Sequence, residues 1–164
     1  MTPDTIGCPD AEAAVLGCLL RMPLHDADAL AGHLEAEDFV DPRHRAVLGA
    51  VLAVVAEGVA PDPVAVLGEL RRSGAERSMT ADRSAGVFLA DLLAAAPAVV
   101  NAGHYARVVV EHRARRRVLE AAERLGQLAG TASLVTVREV ALDEWAALLK
   151  QLDRVTSEAG QVVR

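Results

Sequence analysis

Residues 102–155 read AGHYARVVVEHRARRRVLEAAERLGQLAGTASLVTVREVALDEWAALLKQLDRV, and this stretch decides the fold. Asn101 can cap a helix that runs unbroken from about Ala102 to Ala129 before Gly130 ends it. Thr136-Val137-Arg138-Glu139 is a capping-box pattern that opens a last helix, reaching about Val155. Two helices of that length joined by a Gly-Thr-Ala-Ser turn form an antiparallel hairpin that reaches beyond a compact bundle. Along the last helix Ala141, Trp145, Leu148, Leu152 and Val155 step by four, three, four and three, a heptad-like stripe.

Upstream of the hairpin, apolar residues again recur at helical spacing and few stretches alternate with period two. A first helix is expected from about Ala11 to Arg21, with Asp10 as its N-cap, and a second from about Leu24 to Leu34. Asp41-Pro42 supplies a capping carboxylate and a proline at the first helical position, and Glu57-Gly58 closes the helix it opens. That helix carries Val47, Leu48, Val51, Leu52, Val54 and Val55, apolar almost all round, which predicts the central, most buried element. Asp62-Pro63 repeats the start signal and Ser73-Gly74 stops a helix of about ten residues, after which residues 74–83 read as an exposed loop. A further helix from about Ser84 to Ala95 carries Phe88, Leu89, Leu92 and Leu93 and ends before Pro97. The fold class is therefore all-α: a compact helical bundle over residues 1–110, a protruding antiparallel helical hairpin over 111–155, and a C-terminal tail over 156–164.

The chain's 164 residues make one ordinary domain's worth of sequence, long enough to fold without a disulfide or metal. About a fifth of them are alanine, a bias toward helices in close contact. The net charge of −6 is unevenly spread: residues 1–100 hold 7 basic and 15 acidic side chains, residues 101–164 hold 10 and 8. An acidic body argues against general binding of a phosphate backbone, which needs a basic field. Cys8 and Cys18 lack the paired short spacing of a zinc site and read as thiols of a reducing compartment. The first basic residue is Arg21, the apolar run Ala13–Leu20 is short, and the uncharged run Ala46–Ala56 is too short to cross a bilayer, so a cytoplasmic protein without membrane contact is expected.

A search for chemistry finds little. The single lysine, Lys150, lies far from any glycine-rich loop, which excludes a P-loop. Histidines at 25, 33, 44, 104 and 112 include no i, i+4 pair and read as surface or half-buried side chains. The cluster Glu35, Glu37, Asp38 and Asp41 reads as one cap and a solvated turn. No nucleophile motif is present, and neither enzymatic activity nor a cofactor is expected of this chain. The basic run Arg113, Arg115, Arg116 and Arg117 is the candidate nucleic-acid contact, but Glu111–Arg115 and Glu120–Arg124 are favourable i, i+4 pairs that would make it a solvated face. Phe39, Phe88, Tyr105 and Trp145 are too scattered for a base-stacking platform. Trp145, a lone large aromatic on an amphipathic hairpin, needs a cover, either the other helix of its own hairpin or a second molecule.

The order of these motifs resembles the N-terminal domain of the DnaB-type bacterial replicative DNA helicase. Glu12-Ala13-Ala14-Val15-Leu16-Gly17 stands where that family opens, and Glu37-Asp38-Phe39 and Pro42-Arg43-His44-Arg45 follow as its next two motifs. Glu57-Gly58, Asp62-Pro63-Val64, Asn101, Tyr105-Ala106 and Arg116-Arg117 continue in family order, so the resemblance covers about residues 10–155. Ala13 replaces the family's glutamine, Ser84-Ala85 replaces a Gly-Gly pair, Phe88-Leu89 takes the place of Tyr-Leu, and the loop from Ala75 to Arg83 is longer and more polar than usual.

The resemblance implies a domain that pairs through its hairpin into a collar docking primase and other replication proteins, with the ATP-driven motor in a separate domain whose motifs are absent here. The chain is expected to be either an excised domain or a free-standing relative. Its partners are then a second copy of itself, in a dimer or higher oligomer, and primase or helicase-associated proteins. Given such pairing, the heptad-like spacing nominates Val118, Leu125, Trp145, Leu148 and Leu152 as interface residues. The alternative is a small helical nucleic-acid-binding regulator using the run from Arg113 to Arg117.

Overall fold

The computed structural model describes residues 8–79 and 84–161, with side chains for all of these except 78 and 156–161. Seven α-helices and no strand occur among the described residues: α1 (Pro9–Leu19), α2 (Leu24–Ala31), α3 (Pro42–Ala56), α4 (Pro63–Arg72), α5 (Ala85–Ala95), α6 (Ala102–Ala129) and α7 (Leu134–Gln161). The protein is all-α. Cys8–Val109 folds as one compact unit and the chain from Val110 onward belongs to another, so α6 contributes to both.

Local chemistry sets most helix starts. The Asp41 carboxylate accepts the Arg43 amide at 2.8 Å to open α3, and Asp62 accepts the amides of Val64 and Ala65 at 2.8 and 3.0 Å to open α4. Gly58 and Gly74 take left-handed backbone, φ 76° and 74°, just beyond α3 and α4. Ser84 accepts the Val87 amide at 3.4 Å and caps α5. Two expected caps are corrected. Pro9 takes the first turn of α1, Cys8 stands at its N-cap without a side-chain bond, and Asp10 sits inside that turn; proline is preorganised for this position and moves the start upstream. In α7 the Ser133 hydroxyl, not Thr136, accepts the first-turn amide, that of Thr136 at 3.2 Å, and the helix begins at Leu134. α2 stops at Ala31, short of Leu34, and α7 runs past Val155 to Gln161. Of the expected 74–83 loop, Ala75–Ser78 forms a 3-10 turn and 80–83 lie outside the described residues, as do 162–164 of the expected tail.

In the first unit α3 touches α1, α2 and α4, and its Val47, Leu48 and Val51 are fully buried. Leu52, expected inside, is exposed, because it falls on the one side of α3 that no neighbour covers. α1 contributes Val15, Leu16, Cys18 and Leu19, all fully buried, and packs on α5. Gly17 sets that distance: a Cβ there would strike the Leu92 carbonyl oxygen and lie 2.7 Å from the Ala96 Cβ. Arg21 locks the same pair, donating to the Leu93 carbonyl at 2.5 Å and the Ala96 carbonyl at 3.4 Å at the end of α5.

The residues that suggested the family meet in a buried polar node. Glu12 is only 2% exposed, and its carboxylate accepts the Val40 amide at 2.8 Å, the Asp41 amide at 3.4 Å and His44 Nδ1 at 2.8 Å. The His44 ring stacks on Phe88 and meets Phe39 edge-on, and Arg43 lies 4.8 Å over the Phe88 ring. Asp38, read from sequence as solvated, is buried and accepts the Glu35 amide at 2.8 Å. His44, read as a surface or half-buried ring, is buried too. The burial of His44 was not visible locally, since Glu12 of α1 and Phe88 of α5 meet its ring, whereas the Asp38 bond to Glu35 lies within a local capping box.

Candidate protein-docking surface

Within the second unit, α6 and α7 are joined by electrostatics as well as apolar packing. Glu144 is 4% exposed and pairs with Arg117 at 2.5 Å and with Arg124, both across the hairpin on α6. Arg113 pairs with Glu120 at 3.0 Å, and Arg117 comes within 3.9 Å of the same carboxylate. A buried carboxylate is tolerated only when paired, so two guanidiniums at Glu144 fix how the helices meet.

This pairing changes the reading of the basic run. Arg113 and Arg117 are held by carboxylates of the hairpin itself and Arg116 is buried, which leaves Arg115 as the exposed member. Arg124 crosses to Glu144 rather than turning to Glu120 along its own helix.

The apolar residues of α7 divide between two faces. Ala141, Leu148 and Val155 are half-buried, as are Val137 and Val140. Trp145 and Leu152 are instead 61% and 43% exposed, and Val135, Leu142 and Leu149 are exposed with them at 67%, 58% and 45%. Val135, Leu142 and Leu149 repeat every seven residues, and Trp145 and Leu152 fall between and beyond them, which is an a/d seam left open to solvent. The nominated residues therefore do not share one surface. Trp145 and Leu152 lie on the open seam, Val118 of α6 is 43% exposed, and Leu125 and Leu148 are half-buried. Leu142 and Leu149 were missed, although their seven-residue spacing from Val135 was there to be read. Beside the seam, an open groove of about 280 Å³ lies between α6 and α7, lined by Glu111, Ala114, Arg115, Val118, Leu152 and Val155.

In the first unit a larger open groove, about 400 Å³, is lined by residues that include Cys8, Asp10, His104 and Tyr105. Burial raises the Cys18 thiol above its ordinary value, with Arg21 acting against that shift, so the thiol stays protonated and directed toward the Pro97 carbonyl at 3.8 Å. No group of three or more His, Cys, Asp or Glu side chains among the described residues is arranged to hold a metal ion.

An all-helical unit capped by these motifs and followed by a long helical pair defines a replicative-helicase N-terminal module. The family model for the DnaB-like helicase N-terminal domain matches residues 8–111, and the chain belongs to this family. It is 36% identical over 117 residues to the replicative DNA helicase DnaB of Mycobacterium leprae, covering 71% of this chain and 18% of that protein. To the DnaB of Geobacillus stearothermophilus it is 33% identical over 153 residues, 93% of this chain and 30% of the relative. The chain thus spans less than a third of the length of these curated relatives and matches only their N-terminal portion. Among solved structures it is similar to the N-terminal domain of DnaB helicase from Mycobacterium tuberculosis, at 32% identity and a TM-score of 0.74, with 85% of this chain and 96% of that one covered.

Proposed function

We propose that this chain is a non-catalytic oligomerisation and protein-docking module of cytoplasmic DNA replication, in which residues 1–110 form the body and 111–155 the assembling hairpin. The observation that carries this reading is the open seam on α7. Val135, Leu142, Trp145, Leu149 and Leu152, with Leu134 and Val118 beside them, are all large, apolar and exposed. A contiguous apolar strip of this kind is uncommon on an isolated monomer and calls for a covering partner. The first occupant is a second copy of the chain. Primase and helicase-associated replication proteins are the further partners, docking on the assembled module. Unwinding driven by ATP is assigned to the motor of the full-length relatives and not to these residues.

Light scattering over a concentration series tests the reading. The wild-type chain is expected at twice its monomer mass or more, and Trp145→Asp or Leu149→Asp is expected to return it to the monomer mass with its helical circular dichroism intact. A chain that stays monomeric at every concentration overturns the proposal. The regulator alternative draws little support from the geometry, because two of its four arginines are already neutralised within the hairpin.

A further inference from the structure

We draw no further inference here: the strongest candidate, the open groove of about 400 Å³ in the first unit where the start of α1, the end of α5 and the start of α6 meet around Cys8, Asp10, His104 and Tyr105, is a largely apolar hollow, and nothing in the structure shows what covers it.

Discussion

Gly17 and Glu12 sit five residues apart on α1, at its contacts with α5 and with the start of α3. At Gly17 the side chain must be absent, since a Cβ would collide with the Leu92 carbonyl oxygen of α5. Backbone cannot yield as a flexible side chain can, so Gly17→Ala is expected to lower stability by about 1–3 kcal/mol, read as a lower urea midpoint. At Asp41 the decisive property is charge. The Arg43 guanidinium, bonded to its carboxylate, holds the Asp41 carboxyl below its ordinary 3.8. A folded value below the unfolded one means that the stabilisation is complete above about pH 4 and is lost as pH falls through the folded value. The stability gap between the wild type and Asp41→Asn, measured by denaturant titration, is therefore expected to be constant near neutrality and to close in acid. Glu12 was quoted at the outset only as part of a motif. Its bonds to Val40, Asp41 and His44, 28 to 32 residues away, were invisible because they depend on α1 lying against the start of α3.

At the scale of elements, the hairpin is held by one buried acid between two bases. Glu144→Ala removes both cross-hairpin pairs, but Arg124 is more than half exposed and Arg117 keeps Glu120 within 3.9 Å, so the α6–α7 contact is expected to lose only about 1 kcal/mol. Faster amide exchange along α7 checks this. The positions of α3, α4 and α5 were legible in advance because Asp41-Pro42, Asp62-Pro63 and Ser84 act on amides two or three residues away. The start of α7 was misplaced by three residues, since Ser133 and Thr136 both carry a hydroxyl suited to capping and the pattern chosen began at the second. The stripe on α7 was half legible. Its period was correct, but Leu148 turned out half-buried while Leu142 and Leu149 stand open.

For the molecule as a whole, charge argues for protein partners. The chain is net −6, and two of the four arginines of its basic run are paired with Glu120 and Glu144. Single- or double-stranded DNA at low salt is expected to leave the protein unshifted in a mobility assay. A shift that weakens steeply with salt and vanishes in Arg115→Glu would restore the regulator reading.

By itself, the amino-acid sequence determined that the chain is all-helical, where most helices begin, and that a hairpin ends the pattern. Caps, prolines and apolar periodicity act within a turn or two of the chain, so these features need no tertiary context. It also carried enough of its family's ordered motifs to suggest that family. Only the tertiary structure decided which face of α7 meets α6 and which stays open, and that the arginine run closes on the hairpin's own carboxylates. A helix with apolar residues on two adjoining faces satisfies its local pattern in either orientation. The choice is made by Glu144, which can be buried only where Arg117 and Arg124 both reach it.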